Sequence, residues 1–381
     1  GIIGDKGRYS LDNAIRVNAH TWGVALIRAN EFFDEGDVYA NVDFKMRHST
    51  KASLYRNEVK NSLNIIFERF MENVSNKTYQ GEKQSKITAH KLLTQEDRKI
   101  NWESDTSDEV IKKIYFSDSS PGVKECFLGI DCYMFNAHKE DKLKAKPKEI
   151  IAKRDGAICI GTIDGAIWIA NLKAENAFKL PATYVLKDKL SKIKENRIPL
   201  IFDKSYNTFY EISCEQNDNV AYLHFNFYNG AMNVNQCMRL KYAFEYLKED
   251  NEIIVLMGGD DFFSNGIHLN IVQDSLKVGE DSWSNINAMN DLIKSIIFSD
   301  DVVVVASMKQ NASAGGLFLA LACDYVVASE NCVFNPHYKT MGLSGSEYHS
   351  FTLKKRVGIE ESTKLLNDCL PISSHYAKDI L

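Results

Sequence analysis

Two glycine-containing loops in the C-terminal half have the composition of a site that binds a carbonyl oxygen. The first spans residues 263–269 (FSNGIHL) and includes Ile267, and the second spans residues 313–316 (SAGG) and opens a predicted helix at Gly315. The start of a helix leaves backbone N–H groups unpaired at its positive dipole end. Two such loops facing each other would form an oxyanion hole for a thioester-derived intermediate. Close packing of helix on strand is the other explanation of these glycines.

The elements that must position these loops alternate between extended and helical segments. Continuous apolar runs predict strands that are buried on both faces, and the repeated β-α order predicts an α/β domain. The predicted strands are residues 220–227, 253–257, 302–306 and 325–328, and the predicted helices are residues 236–248, 283–298 and 314–322.

The N-terminal part offers one candidate for chemistry, Asp34. It lies in the acidic turn 33–37 (FDEGD), after a strand-like run at residues 22–29. A solvated turn without a catalytic role is the alternative, because such turns are commonplace. A helix is predicted over residues 51–70, and the polar composition of residues 76–98 predicts a linker or an exposed arm.

The middle of the chain predicts a small β domain. A short helix is expected at residues 108–115, and Ser119 and Ser120 begin a turn of sequence SSPG. Strands at residues 157–163 and 166–171 flank Asp164-Gly165, which predicts a hairpin whose two turn residues have positive φ. A charged stretch, residues 187–197, separates this domain from the next.

Composition narrows the class of protein. The net charge of −5 gives no general electrostatic reason to expect binding to nucleic acid or to an anionic membrane. The eight cysteines contain no C-x-x-C pair, so no metal site is predicted, and a reducing cytoplasm is expected. No signal peptide and no membrane-spanning apolar run is found. The first residues lack Met and the last lie in an apparent helix, which suggests a piece cut from a longer chain.

The order of motifs in residues 220–381 resembles the crotonase (enoyl-CoA hydratase/isomerase) family. The shared pattern is a strand, F-x-x-G-x-x-L, a long helix, a strand, A-G-G, a helix ending in A-C-D, and F-x-x-P. The resemblance implies a β-β-α spiral fold. It also implies that the N–H groups of Ile267 and Gly315 form the oxyanion hole.

The departures from that family concern its catalytic carboxylates. Phe318 and Tyr338 occupy the positions that match the two Glu residues of the hydratases. Without them, the addition of water to an enoyl thioester loses its general base. Glu347 is the nearest acidic candidate beyond that loop. Its alternative role is that of an ordinary Glu near a helix start, where the helix dipole favours a negative charge.

The first two hundred residues resemble methionyl-tRNA formyltransferases. The segment LLTQED followed by INW resembles the start of their C-terminal domain, and SLDNAI, WGV and FDEGD resemble the end of their catalytic domain. That family binds 10-formyltetrahydrofolate and uses an Asn, a His and an Asp. Asp34 matches the Asp, whereas the Asn and the His would lie upstream of Gly1. The resemblance therefore implies an incomplete formyltransferase site in this chain.

Along the chain, the motifs GDKG, SLDNAI, SSPGV, FYNGAM, SNGIHLN, NPHY and GSEY follow one another in this order. This ordered set resembles the HypX/HoxX family of nickel–iron hydrogenase maturation factors. This implies an α/β multidomain protein with a remnant of a Rossmann-like formyltransferase domain (residues 1–75), a small OB-like β-barrel (residues 90–186) and a crotonase-like domain (residues 198–381). It also implies synthesis of carbon monoxide, by formyl transfer from 10-formyltetrahydrofolate to coenzyme A and decarbonylation of formyl-CoA. Another acyl-CoA enzyme, such as a thioesterase, and a non-catalytic CoA-binding scaffold are the alternatives.

The expected cofactors are coenzyme A and 10-formyltetrahydrofolate, with no metal. Small-molecule substrates are expected, hydrogenase maturation proteins are candidate partners, and the expected location is the cytoplasm. Glu347 and Tyr338 are the candidates for proton transfer. The candidates for CoA contacts are Asn229, Asn265, Ser119 and Ser120, and for the two serines a plain turn is the alternative.

Overall fold

The structure is a computed structural model, and it describes residues 1–76, 80–85 and 87–380. The chain divides into two compact units. The first unit comprises Gly1–Asn196 and Ser205–Phe209, and the second comprises Arg197–Lys204 and Tyr210–Leu381. The domain limits expected from the sequence (residues 1–75, 90–186 and 198–381) stay a prediction.

The N-terminal part of the first unit contains a two-stranded antiparallel sheet, formed by Thr21–Ile27 and Val38–Lys45. The helix Lys60–Ser75 packs against this sheet. The predicted helix at residues 51–70 is confirmed, and it includes one π-helical turn at Tyr55–Val59. The elements are β1 (Asp5–Lys6), α1 (Ser10–Arg16), β2 (Thr21–Ile27), β3 (Val38–Lys45), α2 (Lys51–Leu54), α3 (Lys60–Ser75), β4 (Thr88–Ala89) and α4 (Gln95–Arg98).

The polar segment at residues 76–98 was predicted to be a linker or an exposed arm, and most of its described residues are exposed. Residues 77–79 and 86 of this segment lie outside the described residues. In the remainder, β4 pairs with β1, and Thr94 and Asp97 form a capping box that starts α4. Leu93 and Arg98 are buried. The segment is thus largely exposed, and these contacts anchor it to the first unit.

The rest of the first unit is a six-stranded antiparallel sheet in the order β5-β6-β9-β8-β7, with β10 paired to β9. The central strands are buried because their side chains are almost all apolar, with Trp168 fully enclosed. The elements are α5 (Ser107–Phe116), β5 (Val123–Phe127), β6 (Ile130–Glu140), β7 (Ile150–Arg154), β8 (Ala157–Gly161), β9 (Ala166–Ala174), β10 (Lys179–Pro181) and α6 (Ala182–Leu186).

The hairpin between β8 and β9 is confirmed, but its turn differs from the prediction. Gly161 pairs with Ala166, so the loop contains four residues rather than two. Neither Asp164 nor Gly165 has positive φ. The Asp164 carboxylate instead accepts hydrogen bonds from Ser107 N and Oγ, both at 2.8 Å, which favours the longer loop.

The second unit repeats a strand-strand-helix pattern. In each turn, the chain adds a long strand to the sheet β11-β12-β14-β16-β18, then a short strand in a second layer, then a helix. The elements are β11 (Ile212–Asn217), β12 (Val220–Phe225), β13 (Ala231–Met232), α7 (Val234–Lys248), β14 (Ile253–Gly258), β15 (Gly266–Ile267), α8 (Leu269–Asp274), α9 (Val278–Ile297), β16 (Val303–Met308), β17 (Ala312–Ser313), α10 (Gly315–Leu321), β18 (Tyr325–Ala328), β19 (Val333–Asn335), α11 (His349–Asp368), β20 (Ile372–Ser373) and α12 (Ser374–Ile380).

This pattern is the predicted β-β-α spiral, and it determines where the glycine loops lie. The strands β12, β14, β16 and β18 are parallel, so their C-terminal ends and the loops that follow them lie at one edge of the sheet. A parallel bridge between Ser264 and Ala312 joins the two glycine loops. The repeated connection therefore brings together segments that are about fifty residues apart in the chain.

No helix in the described part of the chain is long and apolar enough to cross a membrane. Across residues 1–76, 80–85 and 87–380, no group of three or more His, Cys, Asp or Glu side chains is arranged to hold a metal ion.

Candidate functional site

The two glycine loops of the second unit are in direct contact. A Cβ atom placed on Gly266 would lie 3.0 Å from Gly315 N and 3.2 Å from Gly315 Cα. Gly266 has a φ of 81°, a conformation that glycine adopts without strain. Gly315 is the first residue of α10, so its N–H has no acceptor within that helix. The structure thus brings the backbones at Ile267 and Gly315 into one small region.

The Glu347 carboxyl group lies against the Gly315 backbone. A Cβ atom on Gly315 would be 2.5 Å from Glu347 Oε1, so a larger residue at this position would displace the carboxyl group. The Glu347 side chain is buried, with 2% of the residue exposed. Glu347 also lies two residues before the start of α11, so the role of a Glu near a helix start, the alternative considered from the sequence, stays open.

Two hydroxyl groups donate hydrogen bonds to the other oxygen of this carboxyl group. Tyr338 Oη lies 2.8 Å and Ser346 Oγ 2.5 Å from Glu347 Oε2. Glu347 Oε2 is therefore occupied by protein donors, whereas Oε1 faces Gly315. One oxygen fixes the orientation of the carboxyl group, and the other is directed toward the glycine loops.

Burial alters the acid–base properties of this pair. Desolvation raises the pKa of Glu347, and the hydrogen bonds from Ser346 and Tyr338 partly oppose that rise. Burial and then the Glu347 charge raise the pKa of Tyr338, so its hydroxyl stays protonated and acts as a donor. A carboxyl group with a raised pKa can both accept and return a proton near neutral pH.

Aromatic rings form the wall beside the carboxyl group. The Phe318 and Tyr338 rings stack with centroids 5.6 Å apart and an interplanar angle of 19°. The His349 ring packs against both, at 5.6 Å and 5.4 Å. The two positions that match the hydratase carboxylates are therefore neighbours here. Of the two, only Tyr338 has a polar group.

Asn229 and Asn265, the predicted CoA contacts of the second unit, lie next to each other. Asn265 Nδ2 donates to Asn229 O at 2.7 Å, and Ser313 Oγ donates to Asn265 Oδ1 at 2.7 Å. Asn229 has a φ of 56°. The Asn265 amide thus connects three loops around the site, which is a positioning contribution that the sequence did not indicate.

The remaining predicted residues lie in the first unit. Asp34 is exposed on the turn between β2 and β3, and its Oδ2 accepts a hydrogen bond from Gly7 N at 3.0 Å. Ser119 and Ser120 are exposed on the predicted turn between α5 and β5, where Ser120 N donates to Asp118 O at 3.0 Å. Within the second unit the structure brings the predicted residues together, whereas these three belong to the first unit.

Sequence reasoning missed two residues that contact Glu347. Ser346 precedes it in the chain, so its neighbourhood was visible in the motif GSEY. Asn290 lies on α9, and its Oδ1 accepts the hydrogen bond from Glu347 N at 2.7 Å. Nothing in the linear sequence connects residues 57 positions apart.

Two family matches correspond to the two types of domain. Residues 92–189 match the formyl transferase C-terminal domain family, and residues 215–380 match the enoyl-CoA hydratase/isomerase family. The chain therefore combines a domain of a formyltransferase with a crotonase-type domain.

Proteins with the same combination are similar along the whole chain. The hydrogenase maturation factor HoxX of Bradyrhizobium diazoefficiens is 33% identical over 98% of this chain and 66% of its own length. Crystal structures of HypX from Aquifex aeolicus, one in complex with tetrahydrofolic acid and one of a variant, are 42% identical. They cover 100% of this chain and 68% of their own, with TM-scores of 0.97 and 0.96. The chain belongs to the HypX/HoxX family of hydrogenase maturation factors.

Proposed function

We propose that this protein makes carbon monoxide for the maturation of nickel–iron hydrogenase. In the first reaction, the formyl group of 10-formyltetrahydrofolate is transferred to coenzyme A. In the second, formyl-CoA is decarbonylated to carbon monoxide and free coenzyme A. Support for the folate comes from the HypX of Aquifex aeolicus, which was crystallised with tetrahydrofolic acid. The proposal includes a cytoplasmic location, hydrogenase maturation proteins as partners, and no metal.

The observation that carries the proposal is the buried Glu347 carboxyl group beside Gly315. A formyl thioester has no α-carbon, so it can form neither an enolate nor an enoyl group. Apart from attack of a nucleophile such as water on its carbonyl group, it can lose the formyl proton with cleavage of the C–S bond. That reaction needs a base next to the carbonyl carbon, and Glu347 Oε1 lies beside Gly315, whose N–H group is proposed to hold the carbonyl oxygen.

In the proposed mechanism, the N–H groups of Ile267 and Gly315 hold the thioester oxygen. Ionised Glu347 takes the formyl proton, and the electron pair of the C–H bond remains on carbon as the lone pair of carbon monoxide. The electron pair of the C–S bond leaves with sulfur. Glu347 then returns the proton to the thiolate, so that the thiol of coenzyme A is regenerated. Tyr338 and Ser346 hold the carboxyl group in place throughout.

Coenzyme A is proposed to lie along the loops of Asn229 and Asn265. That Ser119 and Ser120 contact coenzyme A stays a separate prediction, as does the role of Asp34 in formyl transfer.

The test supplies formyl-CoA to this chain and measures carbon monoxide through the spectral shift of a reduced haem protein. The wild-type chain and Glu280→Gln, a matched change at an exposed position of α9, are expected to release carbon monoxide. Glu347→Gln is expected to lose about 10²- to 10⁴-fold in rate, as when a general base is removed. Free coenzyme A without carbon monoxide would identify a hydrolase, and full activity of Glu347→Gln would remove the proposed base.

A further inference from the structure

The turn that holds Glu347 has an unusual backbone. Glu347 and Tyr348 have φ values of 53° and 52°, so two consecutive residues with side chains adopt the left-handed conformation. Each such residue costs about 1–3 kcal/mol and persists only when its surroundings hold it there. Helix α11 begins directly afterwards, at His349. The position of the carboxyl group therefore depends on contacts that fix this turn from outside.

One such contact comes from helix α9. Asn290 Oδ1 accepts the hydrogen bond from Glu347 N at 2.7 Å. A backbone N–H can only donate, so the atom that faces it is the oxygen of the amide. Helix α9 is anchored by Met289, Leu292 and Ile293, all of which are buried in the core of the second unit. The contact therefore joins a rigid helix to the strained turn.

A second amide of the same helix holds the other half of the proposed site. Asn285 is 2% exposed, and its Nδ2 donates to Met232 O at 3.0 Å. Its Oδ1 accepts from His268 N at 3.3 Å, directly after Ile267. Asn290 lies five positions after Asn285, which corresponds to a rise of about 7.5 Å along α9. Helix α9 thus contacts both the strand that carries the proposed carbonyl-binding N–H and the turn that carries the proposed base.

We propose that Asn290 is a positioning residue for Glu347: by accepting the Glu347 N–H, it holds the turn that directs Oε1 toward the carbonyl-binding loops. This inference rests on the proposed function and deepens it. Asn290 acts through Glu347 and contacts no reacting atom. Its loss lets the turn relax, so that the carboxyl group moves away from Gly315 and becomes accessible to water.

The test uses three variants. Asn290→Ala removes the acceptor, and Asn290→Asp keeps an acceptor oxygen at the same position and adds a negative charge. Asn287→Ala is the matched control, because Asn287 lies on the same helix and its Nδ2 bonds to Trp283 O within that helix. Thermal unfolding of each variant separates a loss of fold from a loss of positioning.

The first readout is kinetic. Asn290→Ala is expected to lower kcat for carbon monoxide release by about tenfold to a hundredfold, because a displacement of the order of 1 Å has effects of that size. KM for formyl-CoA is expected to stay the same, and Asn290→Asp and Asn287→Ala are expected to keep kcat within several-fold. Wild-type kcat in Asn290→Ala, or an equal loss in Asn287→Ala, would overturn the proposal.

The second readout does not need turnover, so it separates this inference from the proposed function. The infrared carbonyl band of protonated Glu347, identified by its disappearance in Glu347→Gln, is followed against pH. The groups that face Glu347 are Tyr338, His349 and Cys237. Asn290→Ala is expected to shift the titration to lower pH because water reaches the carboxyl group, and Asn290→Asp to higher pH because of the added charge. An unchanged titration in both variants would overturn the proposal, even if the wild-type chain makes no carbon monoxide.

Discussion

The two carboxylates that the sequence suggested for catalysis, Asp34 and Glu347, have opposite surroundings. Asp34 is exposed on a turn of the first unit, and its carboxylate accepts a hydrogen bond from Gly7 N. Glu347 is buried in the second unit, and two hydroxyls donate to its Oε2. Water stabilises the charge of an exposed carboxylate, whereas burial shifts the balance toward the neutral form. The environment of Glu347 therefore prepares its carboxyl group for proton transfer.

This difference separates the two proposed reactions. All the groups proposed for decarbonylation belong to the second unit, and these are Ile267, Gly315, Tyr338, Ser346 and Glu347. In the described part of the first unit, Asp34 is the one side chain that the formyltransferase resemblance assigns to catalysis. Decarbonylation is therefore the reaction that can be tested by substitutions within a single compact unit of this chain.

The largest effect is expected from Gly315→Ala. The added methyl group would lie 2.5 Å from Glu347 Oε1 and 2.7 Å from its Cδ, so the carboxyl group must move. Loss of the geometry of the base is expected to lower carbon monoxide release by about a hundredfold or more. The matched control is Gly279→Ala in α9, where an added Cβ meets no atom within 4 Å. Activity of Gly315→Ala equal to that of the control would mean that the buried carboxyl group is not the base.

A smaller effect, with a defined pH dependence, is expected from Tyr338→Phe. This change keeps the ring stacked on Phe318 and removes the hydrogen bond that lowers the pKa of Glu347. The pKa of Glu347 in the variant is therefore higher than in the wild type. The base must be ionised, so activity rises with pH through this pKa, and the rising limb of the profile moves to higher pH.

Hydrogen bonds to charged groups contribute about 1.5–3 kcal/mol, so a loss of roughly tenfold or more is expected below the pKa and a smaller loss above it. The pH dependence of kcat/KM for carbon monoxide release measures both. Tyr325→Phe, a change at an exposed tyrosine of β18, is the control. A rising limb that stays in place or moves to lower pH would contradict the assigned interaction.

Much of the second unit could be predicted from the sequence because its strands form continuous apolar runs. The expected burial of these strands on both faces is wrong, since burial alternates along β14, and Val303 of β16 and Tyr325 and Val327 of β18 are exposed. A continuous apolar run, such as the one that forms β14, identifies a strand without an alternation of polar and apolar residues. Phe318 and Tyr338 were found because each occupies a fixed position in an ordered motif. Their stacking could not be predicted, since it depends on how α10 and the loop after β19 approach each other in space.

The contacts that orient Glu347 were beyond sequence reasoning for a different reason. The sequence pattern around Asn290 predicts a helix, but it gives no information on the partner of the Asn290 side chain. That partner is the backbone N–H of Glu347, in a turn that is distant in the sequence. The hairpin turn at Asp164 shows the same limit. The dipeptide Asp-Gly favours a two-residue turn, but hydrogen bonds from Ser107, a residue distant in sequence, favour a longer loop. In both cases, a tertiary contact decided the local conformation.

The smallest effect is expected from substitutions of Asp34, and the measured quantity there is the stability of the chain rather than its activity. Asp34 has a φ of 60°, a conformation that Asn also adopts readily, and an Asn side chain can still accept the Gly7 N–H. Asp34→Asn is therefore expected to change the free energy of unfolding by less than about 0.5 kcal/mol, as is usual at the surface. Asp34→Val is expected to cost about 1–2 kcal/mol, because a β-branched residue resists positive φ. Urea unfolding of the two variants measures this difference. If Asp34→Asn destabilises the chain as much as Asp34→Val, the charge of this carboxylate stabilises the fold. Asp34 would then have a structural role despite its exposure, and the comparison with the buried Glu347 would have to include that role.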